Sequence, residues 1–145
     1  PMKTILHPTD FSPASRPAFK KAIEVAKKDR ATLTLLHVMA PMVPAGNLYI
    51  SPRTYDEWAA ATTVSANKAI EGLLKPARAA GVKAKSIVLM GVPADVIVRA
   101  ARTRRAALIV MGTHGRSGFS RFLLGSVASR VVATSPCPVL TVRGK

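Results

Sequence analysis

The chain has 145 residues, 48% of them apolar and 5% aromatic, with a formal net charge of +15. This composition predicts one globular domain over residues 1–145 and excludes a disordered chain, and no apolar run approaches the length of a membrane span. The single cysteine, Cys137, excludes an internal disulfide and indicates a reducing compartment, so a cytoplasmic location is expected.

Short apolar runs alternate with longer amphipathic segments along the chain. Strands are predicted at 3–7, 31–39, 83–90, 106–111 and 137–143, and helices at 12–30, 54–81, 93–105 and 126–134. Mostly apolar strands separated by helices are typical of a parallel sheet that is covered on both faces. We therefore predict an α/β fold, a doubly wound five-stranded parallel sheet with strand order 3-2-1-4-5.

Prolines make the predicted secondary structure uncertain at three places. The first helix is predicted to start with Ser12 as its N-cap and Pro13 at its first position, which leaves Pro17 without an N–H for an early helical hydrogen bond. A kink in the second helix is expected before Pro76. The proline-rich linker 40–53 is long for a compact domain, and it is either a mobile lid or a disordered connection.

Glycines cluster in "GTHGRSGFSRFLLGS", residues 112–126, which contains four of the nine in the chain. Such a cluster indicates a tight turn or a ligand that approaches the main chain closely, and phosphate is the candidate because glycine-rich turns and helix N-termini bind anions. "HPTDFS" follows the first strand. If strands one and four are neighbours, both segments border the crevice at the carboxyl ends of the strands.

These segments resemble the universal stress protein family in order and spacing over essentially the whole chain. The resemblance is carried by "PTDFS", "LLHV", "LIVMGTHGRSGFSRFLLGSVASRVV" and "SPCPVLTVR". Its nucleotide-binding subfamily is marked by G-x2-G-x9-G-[ST], which Gly112, Gly115, Gly125 and Ser126 complete. The resemblance implies an ATP-binding stress-response or signalling module with at most slow hydrolysis.

The resemblance also implies where ATP, with magnesium on its phosphates, would bind. The predicted contacts are Pro8, Thr9, Asp10, Val38, Met111, Gly112, His114, Gly115, Arg116, Gly125, Ser126 and Val127. Asp10 would bind the ribose, the glycine pattern would bind the phosphates, and apolar groups such as Val38 would cover the adenine. Two alternatives stay open: Asp10 caps a turn, and His114 and Arg116 point to solvent.

Other activities have weaker support in the sequence. The chain has neither G-x4-G-K-[ST] nor an early G-x-G-x-x-G, and its histidines and cysteine lack the spacing of zinc ligands. We predict no catalytic residue and no metal site in the protein. The alternative function is nucleic-acid binding on the same fold, which the positive charge suggests.

The fifth predicted strand, "CPVLTVR", is apolar and lies at the edge of the sheet in the order 3-2-1-4-5. Two copies can pair there as a homodimer, through Pro138, Val139, Leu140, Thr141 and Val142. The resemblance points the same way. The alternative is a monomer whose edge is shielded by residues 143–145.

His7 is assigned no role beyond pairing with a neighbouring carbonyl, and His37 is interpreted as a core histidine.

Overall fold

The computed structural model describes residues 3–46, 48–114 and 124–144. The strands are β1 (Thr4–Pro8), β2 (Thr32–Met39), β3 (Lys83–Met90), β4 (Leu108–Gly112) and β5 (Val139–Val142), and the α-helices are α1 (Arg16–Asp29), α2 (Pro52–Ala79), α3 (Pro93–Thr103) and α4 (Ser126–Thr134). All paired strands are parallel and their order is β3-β2-β1-β4-β5. The predicted fold class and strand order are confirmed.

Helices cover the sheet on both faces because successive residues of a strand point to opposite sides. Ile5 of β1 packs in a cluster with buried residues of α1 and α2, whereas its neighbour Leu6 packs with buried residues of α3 and α4. Both side chains are buried, and each such burial contributes about 1.5–3 kcal/mol. Because all five strands are parallel, their carboxyl ends lie along one edge of the sheet, between the two cores.

Helix α1 begins three residues later than predicted. A 3-10 turn over Pro13–Ser15 comes first, and Ser15, not Ser12, is the N-cap of α1. Pro17 is therefore the second residue of the helix, where a backbone N–H would have no intrahelical acceptor. The prediction of Ser12 as the cap is wrong, and the difficulty with Pro17 disappears with it.

Helix α2 begins at Pro52, two residues earlier than predicted, with Ser51 as its N-cap. The Ser51 hydroxyl accepts the N–H of Thr54 at 3.2 Å, which satisfies a donor that the first turn would leave unpaired. The helix continues past Pro76 to Ala79. It spans 28 residues, yet neither it nor any other described helix combines the length and apolar content that crossing a bilayer requires.

Candidate functional site

The two segments singled out in the sequence lie together at the carboxyl ends of β1 and β4. The closest approach is at Gly112, where a β-carbon would lie 3.8 Å from the carbonyl oxygen of Ala14 and 3.9 Å from the Cα of Ser15. The end of β4 therefore packs against the 3-10 turn that follows β1. A β-carbon at position 112 would be in ordinary van der Waals contact with this turn, and its tightest neighbour would be the carbonyl oxygen of His114 at 3.3 Å.

A compact turn leads from β1 into the 3-10 turn. The Thr9 hydroxyl accepts the N–H of Phe11 at 3.1 Å, and Oδ1 of Asp10 accepts the N–H of Ser12 at 2.9 Å. Asp10 thus caps a turn, which is the alternative left open by the sequence. A carboxylate has about four lone-pair sites on its two oxygens, so the same group is chemically able to accept ribose hydroxyls as well.

His37 fixes this turn from the neighbouring strand. Its Nδ1 lies 2.8 Å from the carbonyl oxygen of Thr9, and its ring centroid lies 4.4 Å from that of Phe11. The side chain is half-buried at the site, so the interpretation as a core histidine misses its position. The strand order carries the signal, because Pro8 pairs with Leu36 and the next residue of β2 borders the chain as it leaves β1.

Three apolar residues line one side of this crevice. Val38 and Met111 both pack into the cluster beneath α3 and α4, and Pro8, two residues after Leu6, points to the same face of the sheet. Val38 is half-buried, whereas Met111 is only 5% exposed. Val38 is therefore more accessible to a flat ring than Met111 is. Met111 lies deeper, in the core beneath the crevice.

The N-terminus of α4 lies directly beside the end of β4. The N–H of Gly125 donates to the carbonyl of Thr113 at 2.7 Å, and Gly125 is the N-cap of α4. Ser126 is exposed, while the side chain of Val127 packs against the core. The first-turn N–H groups of Ser126 and Val127 have no intrahelical acceptor, and they carry the positive end of the helix dipole.

Gly125 is required by the main chain around it. A β-carbon there would lie 2.8 Å from the carbonyl oxygen of Thr113 and 3.4 Å from the Cα of His114. His114 is half-buried, and its Nδ1 lies 3.1 Å from the Thr113 hydroxyl. Gly115 and Arg116, the remaining predicted contacts of this loop, lie outside the described residues.

His7 completes the junction between β1 and β4 from within the core. Its Nδ1 donates to the carbonyl of Val110 at 2.7 Å, which confirms the expected pairing with a neighbouring carbonyl. Continuing the Leu6–Ile109 register would make that carbonyl the acceptor for the N–H that Pro8 lacks, so the histidine ring replaces a missing backbone bond. Burial lowers the pKa of His7 to about 4, although the bond to Val110 opposes that shift.

Residues 1–143 match the universal stress protein family model. The chain belongs to this family. Universal stress protein MJ0531 of Methanocaldococcus jannaschii is 40% identical over 147 residues, covering 97% of this chain and 82% of the relative. Among solved structures, MJ0577 of the same organism superposes with a TM-score of 0.84 at 31% identity, covering 99% of this chain and 96% of that one. A universal stress protein crystallised in complex with cAMP superposes with a TM-score of 0.73 at 26% identity, covering 99% of this chain and 98% of the other.

Proposed function

We propose that this universal stress protein is a cytoplasmic ATP-binding module, which changes its partners or assembly when the nucleotide binds. The observation that carries the proposal is that the turn after β1 and the N-terminus of α4 both contact the end of β4, at Gly112 and Thr113. A carboxylate suited to a ribose and helix N–H groups suited to phosphate then border one crevice. The structural relative solved with cAMP supports an adenine nucleotide as the ligand class.

In this proposal each part of ATP has its own partners. The phosphates bind the first-turn N–H groups of α4 and the Ser126 hydroxyl, and magnesium arrives on the phosphate oxygens. Adenine lies against Val38 above the floor formed by Pro8 and Met111. Thr9 gives both its N–H and its carbonyl to β2, so its role is to hold Asp10 in position.

Fast hydrolysis has little support among the described residues of the site. Asp10 is the carboxylate of the crevice, and one of its oxygens already accepts the N–H of Ser12. A general base must reach the attacking water with the right geometry and pKa, and a carboxylate engaged in a turn and a ribose is poorly suited to that. We expect turnover well below the enzyme median of about 10 per second.

Calorimetric titration with ATP and magnesium tests the proposal through Asp10→Asn. Asparagine keeps an oxygen for the N–H of Ser12 and so preserves the turn, but it loses the charge. Because hydrogen bonds to a charged group contribute about 1.5–3 kcal/mol, affinity should fall about tenfold to a hundredfold. Asp29→Asn, at the opposite end of the molecule, is the matched control. Unchanged ATP affinity in Asp10→Asn, or an equal loss in the control, contradicts the site.

A homodimer through β5 belongs to the same proposal. The carbonyls of Pro138 and Val142 accept hydrogen bonds from the β4 side, so the alternate residues Val139 and Thr141 direct their N–H and C=O groups away from β4. The tail does not follow this edge as far as Gly144, since a β-carbon at Gly144 would lie 2.7 Å from the carbonyl oxygen of Ala14. The outward groups of β5 are suited to pairing with a second copy.

A further inference from the structure

Exposed cations gather at the amino ends of the strands, the edge opposite the nucleotide crevice. The parallel topology brings them together, because the residues that begin each strand lie along one edge whatever their separation in sequence. Lys3 precedes β1, Arg30 precedes β2, Lys83 opens β3, and two arginines precede β4. We call this set the amino-edge cluster: Lys3, Lys27, Arg30, Lys83, Arg104 and Arg105, all exposed.

Backbone hydrogen bonds fix the spacing of the amino-edge cluster. The carbonyl of Lys3 accepts the N–H of Thr32 at 2.8 Å, and the carbonyl of Thr4 accepts the N–H of Ala107 at 2.8 Å. On the other side of β2, Thr32 is in register with Lys83. Four adjacent strands about 4.8 Å apart therefore spread the cluster over about 15 Å.

A pocket of about 170 Å³ lies inside the cluster, between the end of α1 and the start of β3. Three members of the cluster line it, namely Lys27, Arg30 and Lys83, around an apolar base that includes Ala26 and Val82. Each of the three is a hydrogen-bond donor with no acceptor atom at its charged end. The pocket is thus suited to an anionic group.

Acidic residues are nearly absent from this edge. Of the seven in the chain only Asp29 lies there, whereas Asp10 and Asp95 lie near the carboxyl ends of the strands. The ion pairs of the described residues join Lys21 to Glu24, Arg53 to Glu57 and Arg130 to Asp95, and none involves the cluster.

The favourable interaction of cations with helix C-termini explains only part of the amino-edge cluster. Helices α1, α2 and α3 all end at this edge, and cations near helix C-termini are favourable. Lys3 directly precedes β1 and Lys83 opens β3, so this explanation does not cover them. Their charges remain available to a partner.

We propose that the amino-edge cluster binds the phosphate backbone of nucleic acid, independently of the nucleotide crevice. A membrane partner is disfavoured because the exposed large apolar residues lie elsewhere in the described chain, on the linker, the carboxyl edge and outer surfaces. No described aromatic side chain belongs to this edge, so stacking on unpaired bases does not contribute. The surface fits duplex phosphates, bound without sequence preference and with strong dependence on salt.

The test compares two charge-reversed double variants by fluorescence anisotropy with a short labelled DNA duplex, between about 50 and 200 mM salt. Lys3→Glu/Lys83→Glu should weaken binding at least tenfold and flatten the slope of log affinity against log salt by about 2, since each lost phosphate contact removes about 0.9. Lys20→Glu/Lys68→Glu makes the same charge change on exposed faces of α1 and α2, and its affinity should stay within threefold of wild type.

Further measurements distinguish this proposal from binding by net charge alone, binding in the nucleotide crevice and binding to membranes. ATP affinity should be unchanged in both double variants, and Asp10→Asn should bind the duplex like wild type. Equal weakening by the two doubles would mean that net charge alone is responsible, and a duplex affinity in Asp10→Asn that differs from wild type in either direction would assign binding to the nucleotide crevice; either outcome overturns the proposal. So would vesicles containing phosphatidylserine that bind as tightly as the duplex. Lys3→Gln/Lys83→Gln replaces the first double if circular dichroism shows that it does not fold.

Discussion

Gly125 combines a structural requirement with a place in the proposed phosphate site. The glycine pattern in the sequence predicts a phosphate loop, but the structure adds a second reason, the carbonyl of Thr113 pressed against the missing β-carbon. That contact joins residues twelve positions apart through the loop between β4 and α4. No local sequence pattern reveals this contact. The sequence therefore predicts a ligand-binding role for Gly125 but not the structural reason for it.

Gly125→Ala should therefore lower both stability and ATP affinity. The new methyl group must displace main-chain atoms, which typically costs about 1–3 kcal/mol of the free energy of unfolding. Gly72→Ala is the control, because its β-carbon would meet nothing within 4 Å in the exposed middle of α2, and removing a helical glycine stabilises by about 0.5–1 kcal/mol. Urea denaturation measures both variants. A Gly125→Ala protein as stable as wild type would contradict the assigned crowding.

His7 should make stability fall in mild acid. Its pKa is about 4 in the folded protein and 6.5 in the unfolded chain, so the unfolded state binds the extra proton throughout that interval. The free energy of unfolding should drop by about 2 kcal/mol between about pH 7 and about pH 5, and the loss should level off below the folded pKa. The second proton would go to Nε2, which is buried with no hydrogen-bond partner among the described residues.

Denaturation of wild type and His7→Gln across this pH range isolates the histidine. Glutamine does not titrate and retains an amide donor for the carbonyl of Val110. Its stability should be nearly flat from about pH 7 to about pH 5, apart from the contributions that both proteins share. Parallel pH curves for the two proteins would show that His7 is not the titrating group.

At the scale of elements, the strands were the most predictable part of the fold. Their sequences are mostly apolar because helices cover both faces of the sheet, and this signal does not depend on distant contacts. The start of α1 was not predictable in the same way. Ser12 followed by Pro13 suits the start of a 3-10 turn as well as that of an α-helix, and the contact of the Pro13–Ser15 turn with Gly112 is not contained in the local sequence.

The edge strand β5 carries the prediction about assembly. Thr141 directs its N–H away from β4, so Thr141→Pro should remove a donor from the dimer interface and leave the internal ladder intact. Sedimentation velocity should give a dimer for wild type and a monomer for Thr141→Pro, with a similar free energy of unfolding per subunit. Leu140→Pro is the contrasting variant, since its N–H faces β4 and its loss should destabilise the fold. Wild-type protein at monomer mass would refute the dimer.

Across the whole molecule, the fold places the proposed nucleotide site and the proposed nucleic-acid site on opposite edges of the sheet. A net charge of +15 predicts anionic partners without saying where they bind, so nucleotide and nucleic acid are alternatives at that stage. In the folded chain the strand starts and the strand ends lie on opposite edges, with the cations of the amino-edge cluster on one and Asp10 with the α4 N-terminus on the other. The composition alone does not determine this separation. Because of the topology, a nucleotide and nucleic acid can be proposed to bind at the same time.

The direction of β5 determines the valency of a dimer built on it. Antiparallel pairing of two copies sets the amino edge of one subunit beside the carboxyl edge of the other, so the two basic edges look away from each other. One straight duplex can touch only one of them and gains no avidity from the second subunit. Such a dimer would instead bridge two separate duplexes, with one nucleotide crevice open on each side.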